Sequence, residues 1–157
     1  MTPSQSVIRV AIIGGRVASP EGIQFAYETG KILAERNVIL YTGGGPGIME
    51  AASRGAHEAG GIVVGVLKED DDSWANEHVR IPIVTGMGDL RNGIIIRSVH
   101  GAIAVEGAYG TLSEIAFTLG YEKPLVGFHS WNIPGLLAVE RAQDAVDRIL
   151  ELIESAD

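Results

Sequence analysis

The chain of 157 residues contains no cysteine and few aromatic side chains, and these absences narrow its chemistry. Without cysteine it has no disulfide, no thiolate nucleophile and no cysteine-ligated metal. Its histidines show no ligand spacing such as H-E-x-x-H. They are His57, His78, His100 and His129. We therefore interpret them as ordinary surface or core residues and predict no metal site.

Basic residues are also scarce, since 12 Lys and Arg stand against 20 Asp and Glu, a formal net charge of −8. A protein without a basic patch cannot readily displace counterions, so we expect no nucleic-acid partner. No apolar run approaches the roughly 20 residues that a membrane span requires, and Met1 to Ser6 do not resemble a secretory signal. We therefore expect a cytoplasmic protein without a membrane partner, forming one domain over residues 1–157.

Short apolar runs alternate along the chain with segments of helical periodicity. Runs of this kind are typical of strands covered on both faces. The predicted strands are Val7–Ile13, Val38–Tyr41, Ile62–Leu67, Ile81–Val84, Ala102–Val105 and Pro124–Phe128. An apolar stripe from Val139 to Ile153 indicates a last helix. The alternation predicts an α/β protein of the three-layer αβα type, with a doubly wound, mostly parallel sheet.

Two glycine loops connect predicted strands to predicted helices. The first, Gly43–Gly47, follows Val38–Tyr41, and the second, Glu106–Gly110, follows Ala102–Val105. In a parallel sheet such a junction presents backbone N–H groups at the positive end of a helix, where anions bind. The first loop matches neither the P-loop nor the G-x-G-x-x-G pattern. Together the loops predict a divided site for a phosphorylated ligand.

The two loop motifs, G-G-G-x-G-x-M-E and x-G-x-Y-G-T-L-x-E, resemble those of the LOG family. These are cytokinin-activating, Rossmann-like nucleotide phosphoribohydrolases of the LOG-like (SLOG) superfamily. The segment from Ile83 to Asn92 and the short length look most like the branch that contains molybdenum-cofactor carrier proteins. The resemblance implies a Rossmann-like fold and a bound molybdenum cofactor or nucleoside monophosphate.

The glycine loops, together with this resemblance, indicate a set of ligand-binding residues. They are Gly14, Gly43, Gly44, Gly45, Gly47, Met49, Arg91, Asn92, Glu106, Gly107, Ala108, Gly110, Thr111 and Glu114. Two of them depart from the family pattern, because Glu106 stands where the family has proline and Ala108 where it has a second glycine. The family's catalytic arginine lies in an Arg-Lys pair, whose nearest counterpart here, Arg91-Asn92, is offset by one position.

Two interpretations of Thr111 and Glu114 are open. Their spacing fits a capping box at the start of a helix over Thr111–Leu119, which would explain both residues without a ligand. Alternatively, Thr111 binds phosphate while Glu114 binds a ribose hydroxyl or supports chemistry at the leaving base.

Arg91 is similarly ambiguous. If Asp89 caps the following helix, Arg91 lies in its first turn, where a cation is unfavourable for the helix dipole. That position indicates either an anionic ligand or an ion pair with Asp89 or the acidic loop Glu69–Asp72. Trp74 and Trp131 lie beside predicted loops, where loop packing or a subunit contact explains them better than stacking on a ligand ring.

Three functions follow from these observations. The first is a binding or carrier protein for a phosphorylated, nucleotide-like ligand, with the molybdenum cofactor as one candidate. The second is a nucleoside 5′-monophosphate phosphoribohydrolase, in which Glu114 and Arg91 would be catalytic. The third is a ligand-gated oligomeric sensor without catalysis. In each case we expect a phosphorylated small-molecule partner and a homodimer or higher homo-oligomer.

Overall fold

The computed structural model describes residues 6–156, so the segment Met1 to Ser6 lies almost entirely outside the described residues. Within this range seven strands form one sheet. They are β1 (Arg9–Gly14), β2 (Ile39–Thr42), β3 (Val63–Leu67), β4 (Ile81–Val84), β5 (Gly101–Val105), β6 (Leu125–Phe128) and β7 (Leu137–Ala138). The order across the sheet is β4-β3-β2-β1-β5-β6-β7, and every neighbouring pair is parallel.

Helices cover both faces of the sheet. They are α1 (Pro20–Glu35), α2 (Ile48–Glu58), α3 (Arg91–Arg97), α4 (Tyr109–Gly120) and α5 (Ala142–Ser155), with a 3₁₀ turn at Gly88–Leu90 before α3. One apolar core contains buried side chains of α1, α2 and α5, and a second core contains those of α3 and α4. The predicted three-layer, doubly wound, Rossmann-like fold is confirmed.

The central strand β1 shows why its sequence is continuously apolar. Val10 and Ile12 belong to the core under α1, α2 and α5, while Ala11 and Ile13 belong to the core under α3 and α4. All four are at most 1% exposed. A strand between two helix layers has no solvent face, so the apolar/polar alternation of a half-exposed strand is absent.

The chain reverses its direction of travel across the sheet beside β1. It first builds β2, β3 and β4 on one side of β1, and then returns to build β5 on the other. Connections that leave neighbouring strands in opposite directions open a crevice at the carboxyl edge, where ligands of such sheets bind. Both glycine loops lie at this edge, because they follow β2 and β5.

Several predicted details are confirmed. Ser19 caps α1, since its Oγ accepts a hydrogen bond of 3.0 Å from the backbone N–H of Gly22. The strand with a proline, β4, lies at an edge of the sheet. In α5 the buried face runs from Ala142 to Ile153.

Other details were wrong. The helix α4 begins at Tyr109 rather than Thr111, and its N-cap, Ala108, has no side-chain hydrogen bond. Thr111 and Glu114 therefore form no capping box. Asp89 lies inside the 3₁₀ turn and does not cap α3. The two-residue strand β7 was not predicted, because it is too short to show periodicity. No helix within residues 6–156 is long and apolar enough to cross a membrane.

Candidate ligand-binding site

A cavity of about 240 Å³ opens at the carboxyl edge of the sheet. Its walls come from the connections after β1, β2, β3 and β5 and from the start of α3. Most of the residues expected from the sequence line it. They are Gly14, Gly43, Gly44, Gly45, Met49, Arg91, Asn92, Ala108, Gly110, Thr111 and Glu114. The loops therefore do meet around one space, and their role in ligand binding stays a proposal.

Gly47 and Gly107 shape this cavity without lining it. Gly47 has a φ of +73°, and a Cβ placed on it would lie 2.5 Å from the carbonyl oxygens of Gly15 and Arg16. Gly107 has a φ of +101°, and its missing Cβ leaves room for the side chain of Thr111. Only glycine meets both requirements, because L side chains rarely adopt such backbone angles.

Glu106 also lies outside the cavity lining, contrary to the expectation that it binds ligand. Its carboxylate accepts hydrogen bonds from the Ser19 backbone N–H at 2.8 Å and from the Ser19 Oγ at 3.0 Å. Ser19 is the N-cap of α1, whose positive dipole end attracts a carboxylate. Glu106 thus stabilises the start of α1, and its carboxylate is hydrogen-bonded there rather than facing the cavity.

Arg91 is the buried cation of the cavity, with 8% of its surface exposed. Its Nη1 donates hydrogen bonds to the carbonyl oxygens of Gly43 at 2.8 Å and Val66 at 2.6 Å, and its Nε donates to the Asn92 Oδ1 at 2.7 Å. These partners are all neutral. Within residues 6–156 no carboxylate oxygen lies within the 4.0 Å ion-pair distance of Arg91, so of the two alternatives the ion pair with Asp89 or the acidic loop is not observed.

Asn92 connects Arg91 to the second glycine loop. Its Nδ2 donates to the Ser113 Oγ at 3.0 Å, and that hydroxyl donates in turn to the Gly110 carbonyl oxygen at 2.6 Å. Asn92 is 4% exposed, so the Arg91 end of this chain of hydrogen bonds is shielded from water, while the Ser113–Gly110 bond is exposed. The orientation of the guanidinium is therefore coupled to the first turn of α4.

Thr111 and Glu114 lie in the first two turns of α4 and line the cavity. They are 3% and 6% exposed, and neither side chain forms a hydrogen bond within the part of the chain that the structure describes. No side-chain polar atom of that part is both fully buried and unpaired. The two polar groups therefore open onto the cavity and are available to a ligand.

The electrostatics of the cavity follow from burial. Burial raises the pKa of the Glu114 carboxyl from its ordinary value of 4.5 to about 8, against the opposing effect of the Arg91 guanidinium. Burial likewise lowers the pKa of Arg91, while the charges of Glu114, Glu69 and Asp89 act in the opposite direction. An arginine remains charged even so. Burial therefore favours the protonated form of Glu114 in a cavity that also holds the charged Arg91.

The first glycine loop is held from outside by Asn76. The Asn76 backbone N–H donates to the Gly44 carbonyl oxygen at 2.8 Å, and its Nδ2 donates to the Gly45 carbonyl oxygen at 3.0 Å. On the other side, the Ile48 backbone N–H donates to the Gly15 carbonyl oxygen at 3.0 Å. These bonds fix the loop before any ligand arrives.

Seven further lining residues were missed by the sequence analysis. They are Gly15, Arg16, Leu67, Lys68, Glu69, Trp74 and Asp89. Five of them directly follow β1 or end and follow β3, so the rule that sites form at the carboxyl ends of parallel strands could have found them. Trp74 lies in the middle of the long connection between β3 and β4, and no local pattern marks it.

One group of side chains outside the cavity has metal-donor character. A ligand atom from each of Glu50, Glu77 and His78 lies within 4.8 Å of the other two. The sequence could not indicate this group, since Glu50 is distant in the chain from the other two residues. The arrangement alone does not identify a metal, and the absence of a metal site stays a prediction.

Comparison with known proteins places these features in a family. The profile of the SLOG cluster4 family matches residues 7–153. An uncharacterised protein of Archaeoglobus fulgidus is 36% identical over 90% of this chain and 93% of its own length. A probable cytokinin riboside 5′-monophosphate phosphoribohydrolase, LOGL2 of Oryza sativa subsp. japonica, is 30% identical over 73% of this chain. The match covers 47% of LOGL2, so the chain spans about half the length of that relative.

Two solved structures share nearly the whole fold. The molybdenum cofactor binding protein from Rippkaea orientalis superimposes with a TM-score of 0.90 and 29% identity, covering 96% of this chain and 99% of that one. The molybdenum cofactor carrier protein from Chlamydomonas reinhardtii superimposes with a TM-score of 0.85 and 31% identity, covering 94% of this chain and 99% of that one.

Proposed function

Because the chain belongs to the SLOG cluster4 family, we propose that it binds and carries a phosphorylated, nucleotide-like ligand, with the molybdenum cofactor as the leading candidate. The observation that carries the proposal is Arg91. A buried guanidinium whose hydrogen-bond partners are all neutral has no carboxylate in direct contact, and burying a charge in this way is costly unless an anion binds beside it.

Even with Glu69 and Asp89 in its lining, the cavity carries a net positive charge when Glu114 is neutral, because three cations line it. Burial raises the pKa of Glu114 to about 8, and its protonated form does not repel a phosphate. Arg16 and Lys68 line the cavity, and neither forms an ion pair with a carboxylate within residues 6–156. The backbone N–H groups at the start of α4 add the positive end of a helix dipole.

The likeness to two molybdenum-cofactor proteins favours a carrier over an enzyme. It extends over more than nine-tenths of this chain in both comparisons, whereas the match to LOGL2 covers less than half of that enzyme. A carrier must bind its ligand without altering it. A protonated Glu114 suits that task, since it lacks the negative charge that would stabilise an oxocarbenium-like transition state.

Cofactor retention tests the carrier function. Molybdenum cofactor released from a denatured molybdoenzyme is mixed with the protein under anaerobic conditions, and the protein is separated by gel filtration. The retained pterin is then oxidised and measured by fluorescence. We expect retention close to one equivalent for the wild type and loss of retention for Arg91→Gln. Absence of pterin from the wild-type protein peak would overturn the carrier proposal.

Phosphoribohydrolase activity is the second candidate, because Glu114 and Arg91 line the same cavity and are both buried. In that reaction Arg91 would hold the phosphate while the Glu114 carboxylate stabilises the developing positive charge on the ribose. The raised pKa of Glu114 predicts that such activity increases as the pH rises through about 8. Incubation with AMP and assay of free adenine tests it. A rate that Glu114→Gln leaves unchanged would exclude this role.

We also propose that the protein forms a homodimer or higher homo-oligomer. Large apolar side chains are exposed on β4 and in the segment that leads to α3. They are Ile81 (47% exposed), Val84 (46%), Met87 (44%) and Leu90 (73%). Light scattering after gel filtration measures the assembly, and we expect Leu90→Glu to reduce its mass. A monomeric wild-type protein would contradict the proposal.

A further inference from the structure

Trp74 is an exposed aromatic side chain at the ligand cavity. It is 63% exposed, yet it is one of the residues that line the cavity. Its indole Nε1 donates no hydrogen bond, and its ring packs on no other ring, within the described residues 6–156. A large apolar surface left open to water at a cavity is a contact that a ligand can complete.

The segment that carries Trp74 is fixed in place. Asn76, two residues later, bonds through its backbone and its side chain to the first glycine loop. Before Trp74, the Ser73 backbone N–H donates to the Asp71 Oδ1 at 2.8 Å. The segment itself begins at Glu69, whose carbonyl oxygen accepts from the Gly86 backbone N–H at 2.8 Å. The backbone that carries the indole is therefore fixed at the cavity before ligand binding, which lowers the entropy cost of a stacking contact.

Trp131 makes a useful contrast. Its Nε1 donates to the Ala108 carbonyl oxygen at 3.3 Å, its ring lies 6.2 Å from that of Tyr109, and it packs against the core under α3 and α4. Trp131 thus has the structural role that the sequence analysis assigned to both tryptophans. Trp74 has no such role among the described residues.

The strand order indicates how an elongated ligand would lie across the site. Trp74 belongs to the connection after β3, whereas Gly110 and Thr111 belong to the connection after β5. These strands are three steps apart in the order β3-β2-β1-β5. At about 4.8 Å for each step, the two ends of the site are separated by roughly 14 Å. A ligand that spans this distance with its phosphate at the start of α4 would present its other end to Trp74.

We infer that Trp74 stacks on a planar heteroaromatic ring of the ligand, and that it sets the specificity of the site for a ring joined to a phosphate. The apolar residues Met49 and Leu67 also line the cavity. This inference rests on the proposed ligand-binding function. Stacking on an aromatic side chain tolerates different bases, because each presents a π-face.

Two probes separate ring recognition from phosphate recognition. AMP carries both groups, and ribose 5-phosphate carries only the sugar and the phosphate. Measured by isothermal titration calorimetry, Trp74→Ala should weaken AMP binding about tenfold or more and leave ribose 5-phosphate binding within about twofold. Trp74→Phe should restore most of the AMP affinity, because it restores an aromatic face. Trp131→Phe is the matched control and should bind both probes as the wild type does.

Fluorescence locates the ring independently. In Trp131→Phe the only tryptophan is Trp74, and AMP should quench its emission; in Trp74→Phe the remaining Trp131 should not respond. Wild-type AMP affinity in Trp74→Ala would overturn the inference, as would an equal loss for both probes, which indicates a change in the loop alone. If the wild type binds neither probe, this inference is overturned, whereas the carrier proposal is decided separately by pterin retention. If the wild type binds AMP and the Trp74 substitutions do not change its affinity, this inference is overturned while the proposed ligand-binding function stands.

Discussion

The two glycine loops are alike in sequence and position, but they differ in how much space and how many unpaired polar groups they leave for a ligand. The first loop is held in place by the protein, because its carbonyl oxygens accept hydrogen bonds from Asn76 and Arg91. At Gly47 there is no room for even one methyl group. The backbone of this loop is therefore rigid, and we expect it to keep its conformation when a ligand binds.

Gly107 in the second loop is as confined as Gly47, but the residues that begin α4 are open. No heavy atom lies within 4 Å of the position that a Cβ on Gly110 would occupy, and the hydroxyl of Thr111 has no hydrogen-bond partner within the described residues. The start of α4 therefore keeps the donors that a phosphate needs. A glycine motif thus indicates that some group packs closely against the backbone. That group is another part of the protein in some cases and a ligand in others.

The largest expected effect concerns Glu114, the titrating group beside the second loop. Its pKa is about 8 in the folded protein against 4.5 ordinarily, so the stability it contributes is complete below about pH 4.5 and is lost as the pH rises through about 8. The free energy of unfolding should fall by up to about 1.4 kcal/mol per pH unit between these values. Urea unfolding across this range should show the slope in the wild type and not in Glu114→Gln. The exposed Glu154→Gln is the control and should keep it.

In the first glycine loop even the addition of one methyl group should lower stability. Gly47→Ala forces a side chain into a left-handed conformation against two carbonyl oxygens, and we expect it to cost about 3 kcal/mol of stability. Gly110→Ala in the second loop has free space and a helical position, so it should change stability by less than about 1 kcal/mol. Thermal unfolding compares the two. Equal losses would mean that the loops do not differ as described.

Thr111 tests whether the second loop provides a ligand contact. Thr111→Val keeps the shape of the side chain but removes the hydroxyl, so we expect AMP affinity to fall about tenfold while the melting temperature changes little. Thr111→Ser restores the hydroxyl and should recover most of the affinity. Calorimetric titration with AMP makes the measurement, and unchanged affinity in Thr111→Val would remove Thr111 from the site.

Glu106 should give the smallest effect, although it begins the second loop. Glu106→Gln weakens the contact with Ser19 at the start of α1, which should lower stability by about 1 kcal/mol. Because the Glu106 side chain lines no part of the cavity, AMP affinity should stay within about twofold. A large gain in affinity would show that its charge acts on the ligand after all.

Much of the fold could be predicted from local pattern, because the buried strands have no polar alternation and glycine marks the loops. The start of α4 could not. A threonine followed three residues later by a glutamate has the sequence of a capping box, and only the tertiary structure shows that Glu114 opens onto a cavity instead. The same short sequence is compatible with a capping box and with a cavity-lining pair, and contacts with the rest of the protein decide between them.

The remaining errors at the site share a physical cause, which is contact between residues far apart in the chain. Glu106 contacts Ser19 across 87 positions, and Arg91 donates to the Gly43 carbonyl oxygen across 48. Trp74 reaches the cavity because Asn76 bonds to a loop more than 30 residues earlier. Periodicity and motif spacing carry no record of such contacts. The residue types of the site were therefore predictable, but their partners were not.

The most direct test of the account is the affinity of AMP for Arg91→Gln, measured by calorimetry beside the wild type. We predict that binding weakens at least about tenfold, because the variant loses the only buried cation that faces the cavity in residues 6–156. Arg97→Gln, the same substitution at the exposed end of α3, is the control and should bind AMP as the wild type does. A folded Arg91→Gln protein with wild-type affinity would contradict an anion-binding site built around Arg91.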